Sequence, residues 1–142
     1  MAIKRTAADV ATSDAVRESF DYVCCRCQRD FRHNPGGLDC SHVYGRGNWS
    51  TRFTVKNLLA LCRGCHRYLT KNPDEHMQLY LEIYTQEDLD TVRLKKNTPA
   101  KGIKRLIPQI AAHYRKQTRD IEELRFAGHR GYIQPEDWED VD

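Results

Sequence analysis

Hydrophobic and polar positions follow three different rhythms along the chain. Near the start, Val16 and Phe20 sit four apart behind Ser13 and Asp14. That spacing predicts a short helix from a Ser13 cap to about Phe20, with residues 1–12 as a frayed start. Residues 22–72 show no long helical period and mix Cys, Gly, Arg and aromatic residues, which predicts loops, a short hairpin and one short helix. From Pro73 the helical period returns. Met77, Tyr80, Leu81 and Tyr84 form one stripe. Thr85-Gln86-Glu87-Asp88 reads as the cap of a helix carrying Leu89, Val92 and Leu94, and Asn97-Thr98-Pro99 ends it. A longer helix is predicted from near Pro108 to Ala127, with Ile110, Tyr114, Ile121 and Leu124 on one face and Gly128 past its end.

The chain therefore divides into an N-terminal segment with a short helix (1–21), a core (22–72), a helical extension (73–133) and an acidic tail (134–142), which is expected to be disordered. At 142 residues this is one domain's worth of chain. Mean hydropathy is −0.76, and no apolar run approaches the roughly 20 residues of a membrane span. Met1-Ala2-Ile3-Lys4-Arg5 has no apolar stretch behind its charges, so no secretory signal is expected and the compartment is read as the cytoplasm.

Charge is unevenly placed. Between Cys24 and Asn72 nine basic side chains face only Asp30 and Asp39, a local charge of +7, whereas the last seven residues carry −5. The basic stretch suits a polyanionic partner, nucleic acid first, and on charge alone a solvated basic face is the equal alternative.

Six cysteines in a reducing compartment point to metal rather than disulfides. Cys24-x-x-Cys27 and Cys62-x-x-Cys65 have the spacing of two zinc knuckles, and together they would complete a tetrahedral thiolate site for structural Zn²⁺. Cys25 could stand in for Cys24, and Cys40 reads as a small buried hydrophobe.

The segment between the knuckles holds Asp39-Cys40-Ser41-His42-Val43-Tyr44-Gly45-Arg46, then Asn57-Leu58-Leu59-Ala60-Leu61 running into Cys62-x-x-Cys65-His66. This order resembles the zinc-containing HNH, or ββα-metal, nucleases. The Cys-Ser-His-x-x-Gly-Arg and Asn-x-x-x-x-Cys-x-x-Cys-His strings are most similar to phage-encoded members related to the NinG/Rap recombination nucleases. The likeness covers about residues 22–72. It implies an α+β fold with a small ββα-metal core stapled by the four cysteines and followed by C-terminal helices. It also implies a DNA phosphodiester hydrolase leaving 5′-phosphate and 3′-hydroxyl ends, working on branched recombination intermediates or duplex DNA in the bacterial host's cytoplasm. A junction enzyme would act as a homodimer.

Phosphodiester hydrolysis needs a base, a cation and phosphate donors. His42 is the candidate base. By resemblance, Asn57 holds the loop carrying His42, a role compatible with capping a helix. His66 is the implied ligand of a catalytic divalent ion, Mg²⁺ or Mn²⁺, with Ni²⁺ or Zn²⁺ as alternatives; a direct phosphate contact is its other possible role. Arg46 and Arg52 are candidate phosphate clamps, while Arg67 and Lys71 would add backbone attraction. Tyr44 and Trp49 either stack on bases or pack on the zinc lobe. The sequence departs from the family pattern at Ser41 and Thr70, where further metal ligands are expected. Asp39, substrate oxygens and water are left to complete the ion's shell. A noncatalytic zinc-stapled DNA-binding module and a zinc-stapled protein-interaction domain are the other functions compatible with these residues.

Overall fold

The structure, a computed structural model, describes residues 4–140. In chain order it contains α1 (Ala7–Ser19), β1 (Leu38–His42), β2 (Leu58–Cys62), α2 (Arg63–Lys71), α3 (Pro73–Ile83), α4 (Gln86–Lys96) and α5 (Ile107–Phe126), with short 3₁₀ turns at Pro35–Gly37, Val55–Asn57, Ile103–Leu106 and Trp138–Asp140. The class is α+β.

Helix α1 begins six residues before the predicted Ser13 cap. Thr6 is the true cap: its hydroxyl accepts the Asp9 N–H while the Asp9 carboxylate accepts the Thr6 N–H, so each end of the first turn satisfies the other. Alanines at 7, 8, 11 and 15 then favour helix at little cost in side-chain entropy, and Ser13 lies buried inside it. Of the expected frayed start, Met1–Ile3 lie outside the described residues. The helix from Pro73, the Thr85 capping box and the break at Asn97 all stand where the sequence puts them. Within those stripes, however, Leu81, Leu94 and Leu124 are exposed rather than buried.

β1 and β2 pair antiparallel, from Leu38 opposite Cys62 to His42 opposite Leu58. Every residue of β2 is buried, because its two faces are covered by different elements. One core gathers β2 with Leu69 of α2, Leu79 and Tyr80 of α3 and Tyr84 at its C-cap; a second joins the alanines of α1 to Phe53, Ile110 and Tyr114. The α1–α5 contact closes this second core and sets α1 alongside β1.

The acidic tail is ordered as far as it is described. The Glu136 N–H donates to Gln117, the Val55 N–H donates to the Asp137 carboxylate, and Trp138 packs on the second core. Hydrogen-bond partners and one indole outweigh the charge repulsion that predicted disorder, and only Val141 and Asp142 fall outside the described residues. Among the described residues, no helix is long and apolar enough to cross a membrane.

Candidate metal centre and active cleft

The two knuckles meet because β1 and β2 bring the start of α2 back over the turn after α1. Gln28 closes the first knuckle in a left-handed conformation (φ 63°), its N–H donating to the Cys24 carbonyl. Cys62 is the N-cap of α2, and Cys65 stands in that helix's first turn. The Sγ atoms of Cys24, Cys27, Cys62 and Cys65 all lie within 4.8 Å of one another. Cys27 and Cys62 Sγ are 3.8 Å apart, the edge of a tetrahedron with Zn–S bonds of about 2.3 Å. The donor set thus fits a structural metal ion such as zinc.

Positive partners surround these thiols. Arg26 donates to Cys65 Sγ at 3.6 Å, Arg29 to Cys27 Sγ at 3.5 Å, and the Cys62 N–H to Cys24 Sγ at 3.3 Å. Burial works against ionisation of Cys27, but the Arg29 side-chain and backbone donors overcome it and bring the thiol down to about 6. Cys25 stays outside the cluster: its N–H donates to the Ala60 carbonyl, and burial pushes its thiol up to about 12. Burial likewise pushes the Cys40 thiol up to about 12.

Beside this centre lies an open cleft of about 380 Å³ between α1, β1, the loop after β1 and α2. Asp39 and His42 reach it from β1, Arg46 from the loop, and His66 from α2. Hairpin pairing and the return of α2 place His66 Nδ1 3.1 Å from Asp39 Oδ2, while Arg63 donates to the other carboxylate oxygen at 3.3 Å. The 3.1 Å separation is a hydrogen bond between the imidazole and the carboxylate, and it sets the two side chains together on the cleft wall.

His42 ends β1 with its Nε2 3.0 Å from the Arg52 carbonyl. A carbonyl only accepts, so Nε2 carries the proton and Nδ1 keeps the lone pair. Burial holds the imidazole down near 4 despite the Arg52 carbonyl and Asp9, which favour its protonation; Arg46 and Arg52 add to the lowering. At neutral pH the ring is uncharged.

Asn57 is fully buried and works as a brace. Its Oδ1 accepts the Tyr44 N–H at 2.8 Å, and its Nδ2 donates to the carbonyls of Tyr44 (3.0 Å) and Thr51 (3.1 Å). It caps no helix; it closes the loop between His42 and β2. Tyr80 of α3 and Tyr84 at its C-cap hold the same turn through the carbonyls of Lys56 and Leu58.

Arg52, expected to touch phosphate, is instead wholly buried. It donates from Nε and Nη2 to the Asp9 carboxylate at 2.9 and 2.6 Å and from Nη2 to the Lys4 carbonyl. A planar guanidinium matches a carboxylate inside the protein as well as a phosphate outside it. Arg67 and Lys71 are exposed one turn apart on α2, and neither lines the cleft. Tyr44 and Trp49 are half-buried: Tyr44 packs against the core that includes Cys24, Cys62 and Cys65, with Lys96 over its ring, whereas Trp49 packs on the second core with Arg52 over it. Ser41 is buried and Thr70 donates to the His66 carbonyl, so neither stands as a ligand.

The wall given by α1 was missed, although Asp9, Ser13 and Arg17 recur every four residues as a polar stripe on an alanine-rich helix. Arg5, Asp9, Ser13 and Arg17 all line the cleft. His76 was also passed over; its Nε2 is buried without a hydrogen-bond partner, and burial, then the nearby His66, lower its pKa. Compared with known proteins, the chain matches no family model, no curated protein and no solved structure.

Proposed function

We propose that the protein is a metal-dependent DNA endonuclease of the HNH kind. One observation carries this reading: an uncharged His42, with its Nδ1 free of the Arg52 carbonyl, shares one arginine-rich cleft with the adjacent donors Asp39 and His66. A strand, a second antiparallel strand and a helix follow in the order that the resemblance implies, with the thiolate centre at their junction.

In this reading Asp39 and His66 would hold a divalent ion, which would supply Lewis acidity to the phosphate when bound. His42 Nδ1 takes the proton from the attacking water, its lone pair left free by the Nε2–H bond to the Arg52 carbonyl. Arg46 orients the phosphate from the loop. Asn57 fixes the loop, and the buried Arg52 presents the carbonyl that selects the His42 tautomer. Cys24, Cys27, Cys62 and Cys65 hold the hairpin to α2 around zinc and take no part in the chemistry.

The test is cleavage of supercoiled plasmid and of a synthetic four-way junction in Mg²⁺, Mn²⁺ or a chelator, beside His42→Ala. The variant is admitted only with its zinc and melting temperature intact. Metal-dependent cutting by the wild type and a loss of about a hundredfold or more in the variant are expected. Binding without cutting in any metal would overturn the enzymatic reading and leave a zinc-stapled DNA-binding module.

A further inference from the structure

A second basic segment lies far from the cysteines in sequence. Between Thr91 and Ile107 the chain carries Arg93, Lys95, Lys96, Lys101, Lys104 and Arg105 and no acidic residue. It comprises the last turns of α4, the connection after it and the Ile103–Leu106 turn. Two of the six cations are already answered: Lys95 pairs with Glu139 and donates to Thr54, and Arg93 lies 3.7 Å from Asp90. Lys96, Lys101, Lys104 and Arg105 are exposed and make no ion pair among the described residues.

Tertiary packing fixes where these charges stand. Arg93 donates to the Tyr44 hydroxyl at 3.1 Å, Lys96 lies 5.3 Å from the centre of the Tyr44 ring, and Lys104 lies 5.2 Å from that of Trp49. Tyr44 and Trp49 belong to the loop that carries Arg46 into the cleft. Arg93, Lys96 and Lys104 thus stand against the loop that carries Arg46 to the cleft, and Lys101 and Arg105 belong to the same connecting segment. Exposed cations carried on one short segment without ion pairs repel one another, an arrangement that a polyanion relieves.

We propose that Lys96, Lys101, Lys104 and Arg105 bind the phosphate backbone of DNA where it runs beyond the cleft. The surface reads no bases; it grips a duplex arm by charge and sets the register in which the cleft meets the strand. This rests on DNA being the substrate in the proposed function, but it concerns binding and can be measured without cleavage.

The experiment measures binding of the full-length, zinc-loaded protein to a labelled 30-base-pair duplex in Ca²⁺ over a range of salt. Wild type is set beside Lys96→Gln/Lys101→Gln/Lys104→Gln and beside Arg115→Gln/Lys116→Gln/Arg119→Gln, which removes the same charge from α5. The first variant should bind about ten- to a hundredfold more weakly, and its plot of log affinity against log salt should be shallower by about 2–3. The α5 variant should keep the wild-type slope. In cleavage assays the first variant should raise KM and leave kcat unchanged. Equal slopes in all three proteins, or equal losses in both variants, would overturn the proposal. If wild type cuts DNA while the slopes coincide, this surface alone fails; if the slopes separate and nothing is cut, the surface stands and the nuclease falls. Absence of DNA binding by the wild type would overturn both.

Discussion

Arg52 and Asp9 form a bidentate ion pair inside the protein, the guanidinium fully buried and the carboxylate 4% exposed. Burial alone would push the Asp9 carboxyl up, but the Arg52 and Thr6 donors hold it below its ordinary range. The pair ties the loop after β1 to α1, and the same Arg52 offers its carbonyl to His42. Arg52→Ala would strand a buried carboxylate and is expected to lower unfolding free energy by about 3–5 kcal/mol in urea titration. Asp9→Asn/Arg52→Met removes both charges and should recover a large part of that loss. A double variant no more stable than Arg52→Ala would show that the charges are not the reason for the pairing.

Asn57 makes three side-chain hydrogen bonds without solvent contact. Asn57→Ala leaves the Tyr44 N–H and the carbonyls of Tyr44 and Thr51 unanswered, at a cost of about 2–4 kcal/mol. Because the loop also carries Arg46, cleavage should fall more steeply than zinc content does. Metal analysis and nicking rates on one preparation separate the two effects.

The buried His42 sets the direction of a pH effect. Its pKa lies near 4 when folded and returns to about 6.5 when unfolded, so the unfolded chain binds the extra proton between these values. Stability contributed at this position is fully present above about pH 6.5 and is lost as pH falls toward 4, by up to about 3 kcal/mol. Thermal melts of wild type and His42→Gln at pH 7.5 and 5 should converge at the lower pH as the wild type loses its margin. Parallel curves would show that the ring is not held neutral by the fold.

Removing the metal should unfold the knuckle region. Purified protein is expected to hold one zinc per chain, and Cys65→Ser or a thiol-reactive mercurial should release it with loss of helical signal from α2. Cys25→Ser and Cys40→Ser should retain zinc, because neither thiol joins the cluster. Zinc loss in Cys25→Ser would instead mean that Cys25 takes a ligand position.

By itself the sequence determined the features that depend on near neighbours. Two Cys-x-x-Cys turns can only present paired thiols, a Thr-x-x-Asp box starts α4, and proline punctuates α3 and α5, so these elements stand where local spacing puts them. Even the early start of α1 was written locally, in the Thr6–Asp9 box, beneath the stronger-looking signal at Ser13. What the tertiary structure alone decided is which partner each charged group meets. Arg52 and Arg46 are alike in sequence, six residues apart and both on the cleft's lining, yet Arg52 alone is buried, held on Asp9 where α1 folds back over the loop. Asp39 and His66 become neighbours only when α2 returns across the hairpin, and Arg93, Lys96 and Lys104 meet the loop carrying Arg46 only through Tyr44 and Trp49. Capping and turns depend on residues three or four apart; pairing and burial depend on residues tens of positions apart, which no local pattern encodes.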